Sequence, residues 1–215
     1  MTGGTTQTEA TVVVIDDDAS LRESLADLFQ SIGLQTRAFA SVADYLTSKP
    51  IDGPNCLVLD VRLPGVSGLD FQADMAKSGV EAQIVFMTGH GDIPMTVRAM
   101  KGGAVDFLAK PFREQDMLDA VALAIERDRT RRQSNQESSQ LRAAFDALSQ
   151  REQQVLILIT SGLMNKQIAA EIGLSEATVK FHRGNIMRKM NANSLADLVG
   201  IADALGIREV AGRRT

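Results

Sequence analysis

The sequence predicts a doubly wound, five-stranded parallel α/β sheet followed by a small all-α unit. Three observations lead there. The chain has 215 residues, about one and a half typical domains. Strand-like and helix-like segments alternate through its first half, and the strand signals vanish after Ser149. Charge divides in the same way: residues 1–127 carry 10 Lys/Arg against 18 Asp/Glu, a net −8, and residues 128–215 carry 13 against 9, a net +4. The overall charge of −4 argues against nucleic-acid binding through bulk charge, but the split makes the basic half a nucleic-acid candidate.

Thr11–Ile15 is a β-branched run ending in Asp16-Asp17-Asp18. Leu21, Leu25, Leu28 and Ile32 follow at helical spacing, and Gly33 closes that helix. Further short apolar runs come at Thr36–Phe39, Cys56–Leu59, Gln83–Met87 and Val105–Leu108. Segments of helical length separate or follow them at Ser41–Ser48, Gly68–Lys77, Pro94–Lys101 and Glu114–Arg127. Strands that each precede a helix build a parallel sheet covered on both faces.

Residues 128–140 hold no large apolar residue, so they read as a linker or as an exposed helix continuing from Glu114. Leu141, Phe145 and Leu148 then suit a core or a dimer seam. Ser149 with Glu152 forms a capping box opening a helix up to Gly162. Asn165–Ile172 is a second helix stopped by Gly173, Ser175 caps a third through Met190, and Leu195–Leu205 makes a fourth. Two helices joined by a short Gly-containing turn make a helix-turn-helix pattern. The expected divisions are a disordered 1–10, an α/β domain over 11–127, a linker or extended helix over 128–147, a helical domain over 148–207 and a tail over 208–215.

Sites in parallel α/β sheets lie beyond the carboxyl ends of the strands. Those ends carry Asp16, Asp17, Asp60, Thr88 and Lys110, which a flavodoxin-like strand order of 2-1-3-4-5 gathers into one pocket. Carboxylates about 4 Å apart repel by several kcal/mol per pair at an effective dielectric near 20, so the cluster needs a cation. Oxygen ligands without His or Cys favour a hard divalent ion, Mg²⁺. With a lysine and a hydroxyl added, the set suits phosphoryl transfer to a carboxylate. Cys56, the sole cysteine, reads as a small buried hydrophobe, and His90 as an exposed loop residue. No apolar run reaches membrane-span length, and a cytoplasmic protein without a membrane partner is expected.

The stretches Val-Ile-Asp-Asp-Asp, Leu-Val-Leu-Asp-Val-Arg-Leu-Pro-Gly-Val-Ser-Gly, Met-Thr-Gly-His-Gly and Phe-Leu-Ala-Lys-Pro-Phe resemble the signature set of bacterial response-regulator receiver domains. That resemblance covers about residues 10–128. It implies that Asp60 accepts phosphate from a sensor histidine kinase, and that Asp17, Asp60 and the backbone carbonyl of Arg62 hold Mg²⁺ with Asp16 in support. It further implies Thr88 and Phe107 as switch residues, Lys110 as a phosphate contact, and a cis Lys110–Pro111 bond. An aspartate phosphatase would need a second Asp two residues past Asp60, where this chain has Arg62.

Leu-Ser-Gln-Arg-Glu-Gln-Gln-Val-Leu, Gly-Leu-Met-Asn-Lys-Gln-Ile-Ala and Leu-Ser-Glu-Ala-Thr-Val-Lys-Phe-His-Arg-Gly-Asn-Ile resemble LuxR-type output domains. The whole chain is similar to FixJ/NarL-type response regulators, the FixJ branch above all. The resemblance implies a non-enzymatic transcriptional regulator that dimerises on phosphorylation and binds double-stranded DNA. Asn165, Lys166, Thr178, Lys180, Arg183 and Lys189 are the expected DNA-binding residues, with Lys180 facing base edges. Gly184 departs from the pattern, standing where some relatives carry a base-contacting side chain. The rival expectation is a phosphorelay adaptor whose helical domain binds a protein.

Overall fold

The computed structural model describes residues 9–208. Most of the expected disordered segment 1–10 and all but Arg208 of the expected tail lie outside the described residues. The chain forms two compact units that divide between Arg132 and Gln133.

The first unit contains β1 (Thr11–Ile15), α1 (Ala19–Ser31), β2 (Gln35–Phe39), α2 (Val42–Thr47), β3 (Asn55–Asp60), α3 (Gly68–Lys77), β4 (Ile84–Thr88), α4 (Ile93–Lys101), β5 (Asp106–Ala109) and the start of α5 (Glu114–Asp146). All four strand pairings are parallel, and the order is β2-β1-β3-β4-β5, as the sequence predicts. Central β1 and β4 are buried along their whole length, whereas the edge strands β2 and β5 are mostly half-exposed. Alternation along β1 sends Val12 and Val14 to one face and Val13 and Ile15 to the other. The first face packs against α1 and α5 through Leu25, Phe29, Met117 and Val121. The second packs against α2, α3 and α4 through Val42, Leu69, Phe71 and Ala99. Each Val, Leu, Phe or Met side chain so taken out of water contributes about 1.5–3 kcal/mol.

Helix α5 runs unbroken from Glu114 to Asp146, so the segment predicted as linker or extended helix is helical. Within 128–140, expected to be a linker or an exposed helix, one position is buried. Asp128 is buried, and its Oδ2 accepts the backbone N–H of Asn55 at 2.9 Å, at the start of β3. Arg131 and Arg132 donate to the same carboxylate. A charged residue can be buried there because paired cations one turn on neutralise it.

The second unit packs α6 (Gln150–Thr160), α7 (Asn165–Ile172), α8 (Glu176–Lys189) and α9 (Leu195–Ala204) around Val155, Leu156, Ile159, Ile168, Val179, Ile186 and Leu198. Phe145 and Leu148 join this core, as one of the two readings of that apolar spacing expects. Ser149 and Glu152 form the expected capping box. Gly173 ends α7 in the left-handed region at φ 69°, a conformation glycine adopts without steric cost. No described helix is long and apolar enough to cross a membrane.

Candidate phosphoacceptor site and DNA-facing helix

Sheet register sets the height of each site residue. Ile15 pairs with Leu59, so Asp16 and Asp60, each one residue on, emerge level at the ends of β1 and β3. Thr88 pairs with Ala109, and the N–H of Lys110 donates to the Thr88 carbonyl at 2.8 Å. Thus the carboxyl ends of four strands bring Asp16, Asp60, Thr88 and Lys110 to one rim. The Lys110–Pro111 bond is cis, as expected.

The three adjacent aspartates of the β1–α1 turn have different tasks. Asp16 is fully buried; its Oδ1 accepts the Asp18 N–H and its Oδ2 accepts Lys110 Nζ, at 2.8 and 2.7 Å. Arg22, a residue the sequence reading passed over, donates to the Asp16 backbone carbonyl at 2.7 Å. Asp17 is exposed. Asp18 caps α1 by accepting the N–H groups of Ser20 and Leu21, which removes it from the site.

Asp60 accepts Lys110 Nζ on Oδ2 and the Arg62 N–H on Oδ1, at 2.7 and 2.8 Å. Oxygen atoms of Asp16, Asp17 and Asp60 lie within 4.8 Å of one another. Three carboxylates facing one ammonium leave excess negative charge, and every donor is a hard oxygen, so the set fits a divalent cation. Burial pushes the Asp16 carboxyl above its ordinary range, against the pull of Lys110. Burial also opposes charge on Lys110, but hydrogen bonds from its ammonium to Asp16 and Asp60 outweigh it and hold the lysine above its usual value.

Thr88 is fully buried, and its hydroxyl accepts the His90 N–H at 3.3 Å. Phe107 is half-buried with its ring centroid 6.3 Å from that of Phe86. His90 is exposed, as expected. Cys56 is fully buried, and burial with the nearby Asp128 charge pushes its thiol up to about 12, so it is inert at neutral pH. Sequence reading also missed Gly68: a β-carbon there would overlap the Asp60 carbonyl oxygen. Helix α3 can therefore approach the end of β3 only at a glycine.

In the second unit, Val179 and Ile186 of α8 face the core, and Met190 at its C-cap joins them. Lys166 and Lys180 are exposed, and among the described residues neither forms an ion pair. Arg183 Nη1 donates to Asn165 Oδ1 at 2.9 Å, bringing two expected DNA-binding residues together across α7 and α8. Thr178 sits in the first turn of α8, its hydroxyl 2.8 Å from that of the capping Ser175. Lys189 lies at the far end of α8, its ammonium 2.7 Å from Oε2 of the buried Glu152. That pair ties α8 to the start of α6, and the Lys189 hydrogen bond holds the Glu152 carboxyl below its usual range. Gly184 opens to space, with nothing near the position a β-carbon would take.

Comparison with known proteins assigns each of the two units to a family. Residues 12–122 match the response regulator receiver domain, and residues 146–208 match the luxR family of bacterial regulatory proteins. Nodulation protein W of Bradyrhizobium diazoefficiens is 56% identical over 207 residues, covering 95% of this chain and 91% of that protein. The transcriptional regulatory protein FixJ of Azorhizobium caulinodans is 43% identical over 197 residues, covering 91% of this chain and 93% of that one. Among solved structures, response regulator StyR is 48% identical, covers 91% of this chain and 99% of its own, and superposes with a TM-score of 0.83. With a receiver domain and a LuxR-type DNA-binding domain in that order, the chain belongs to the response regulators, a family of non-enzymatic transcriptional regulators.

Proposed function

We propose that Asp60 is the phosphoacceptor and that its phosphorylation makes the chain dimerise and bind promoter DNA. The observation that carries this is the Lys110 ammonium, held on Asp16 and Asp60 together beside three converging carboxylates. In the transfer step an Asp60 carboxylate oxygen attacks the phosphorus of a phosphohistidine on a sensor kinase. The P–O bond forms as the P–N bond breaks, and the departing imidazole keeps the electron pair and takes up a proton. Lys110 neutralises charge on the phosphoryl oxygens. Asp16, Asp17, Asp60 and the Arg62 carbonyl would hold Mg²⁺, which when bound supplies the divalent charge this cluster calls for.

Thr88 ends β4, the strand next to that of Asp60, and Phe107 lies on β5 beyond it; the two carry the change outward. Thr88 turns its hydroxyl toward the new phosphoryl group, and Phe107 repacks with it. Two chains then pair, and two output domains engage two half-sites. The second contact becomes intramolecular, so affinity rises through effective concentration. Lys180 reads base edges; Lys166, Asn165 and Thr178 hold backbone phosphate. The Asn165–Arg183 bond favours Arg183 as a residue that orients Asn165 while presenting its own charge, and the pairing with Glu152 favours a packing role for Lys189. The setting is the cytoplasm, where kinase and DNA are both reached.

Incubation of the full chain with acetyl phosphate and Mg²⁺ tests the acceptor. An acid-stable, base-labile phosphoryl group should map to the peptide containing Asp60 and be missing from Asp60→Asn. Equal labelling of that variant would refute the assignment. A labelled chain with no salt-dependent affinity for DNA would favour the adaptor with a protein partner instead.

A further inference from the structure

Gly91 lies three residues past Thr88, between the end of β4 and the Asp92 cap of α4. It is not among the glycines with positive φ, so its backbone conformation does not require glycine. Space does. A β-carbon at 91 would stand 2.9 Å from Phe107 Cε1 and 3.0 Å from the Thr88 methyl carbon. Both distances fall well inside ordinary carbon–carbon contact of about 3.5–4.0 Å. The same small gap is therefore bounded by the two groups to which the proposed function gives the switching movement.

We infer that Gly91 is the positioning residue that couples Thr88 to Phe107: its bare α-carbon leaves the gap that lets both side chains occupy their present places. This rests on the proposed phosphorylation switch and deepens it. A β-carbon would crowd the ring edge and the methyl group at once. Neither Phe107 nor Thr88 could keep its present position without the other giving way. The Phe107 ring is half-buried and reached through its rim, so it yields more readily than the fully buried Thr88, which is tied through its backbone to Lys110. Gly91→Ala thus penalises the present arrangement and favours the alternative one. Phosphorylation at Asp60 is expected to draw on that same alternative.

The experiment compares four full-length chains: unmodified, Gly91→Ala, Phe107→Leu, and the double variant. Two quantities are measured for each without phosphoryl donor. One is the affinity for a promoter fragment selected with the phosphorylated unmodified chain; the other is the urea midpoint. With Phe107 in place, Gly91→Ala should raise the unphosphorylated affinity by about fivefold or more, the size expected of overpacking by one carbon. In the Phe107→Leu background, where the ring edge is gone and only the Thr88 methyl is met, the same change should have a several-fold smaller effect. Equal effects in both backgrounds, or none in either, would overturn the coupling. Should Gly91→Ala unfold, para-fluorophenylalanine at position 107 in the unmodified chain gives a second readout by ¹⁹F NMR. There Gly91→Ser, if folded, or acetyl phosphate should move the resonance in the same direction, and opposite movements would count against the inference. If acetyl phosphate leaves DNA affinity of the unmodified chain unchanged, the proposed function fails. If it raises affinity while the Gly91 effect ignores Phe107, only the coupling fails.

Discussion

At single residues, two glycines mark opposite demands on the chain. Gly68 has the Asp60 carbonyl where a side chain would go, whereas Gly184 has open space. In the interior of α8 a glycine costs about 0.5–1 kcal/mol relative to alanine. Gly184→Ala should therefore raise the stability of the second unit by up to about 1 kcal/mol in urea unfolding, and leave its fold unchanged. A loss of stability would mean that the position is crowded after all. The acidic triplet shows what residue-level reading can and cannot supply. Its location at a strand end pointed to a site, but only the turn geometry separates the buried Asp16 from Asp18, which caps α1. Periodicity carries no information on which of three adjacent carboxylates turns inward.

Element boundaries were largely legible: Thr11–Ile15, Gly68–Lys77 and Asn165–Ile172 match the predicted segments residue for residue. In each, β-branched runs, a capping Ser or a stopping Gly set the ends locally. Helix α5 was harder, because Asp128 owes its burial to Asn55, distant in sequence. The Asp-x-x-Arg-Arg spacing was visible, but nothing in it names the third partner. Burial disfavours the ionised Asp128, yet hydrogen bonds from Arg131, Arg132 and the Asn55 N–H prevail and hold its carboxyl below the usual range. A group with a depressed folded pKa stabilises fully above its unfolded value, about 3.9, and loses that contribution as pH falls through the folded value. Asp128→Asn should then cost about 1–3 kcal/mol at pH 7. The difference from the unmodified chain should hold down to about pH 5 and shrink below about pH 4. Denaturant unfolding of both chains across that range checks it; a gap that widens on acidification would contradict the sign.

Across the whole molecule, the split of −8 and +4 does not translate directly into two charged sites. Only Asp16, Asp17 and Asp60 of the acidic half converge at the strand ends, and part of the base is paired within the chain. Arg131 and Arg132 answer to Asp128, Arg142 lies 3.4 Å from Asp146, and Lys189 answers to Glu152. Exposed Lys166 and Lys180 are not withdrawn in this way, and exposed Arg151 and Arg188 are held by the neutral amides of Gln154 and Asn185; with the charge thinned to these few, one output domain should bind DNA weakly and pairing of chains should matter. Lys166→Ala is expected to lower the slope of log affinity against log salt by about 1 per bound domain and weaken all sequences alike. Lys180→Ala should instead weaken the specific site more than random DNA. The fold and the convergence of Asp16, Asp17, Asp60 and Lys110 were readable because both follow from local pattern and strand order; the Lys189–Glu152 pair was not, since its two residues lie 37 apart in the chain. The most direct test of the account is the affinity of the full chain for its selected promoter fragment, with and without acetyl phosphate, for the unmodified protein and Asp60→Asn. Phosphoryl donor should tighten binding of the unmodified chain by about tenfold or more through pairing and leave Asp60→Asn unchanged. Equal responses of the two chains, or no response in either, would contradict it.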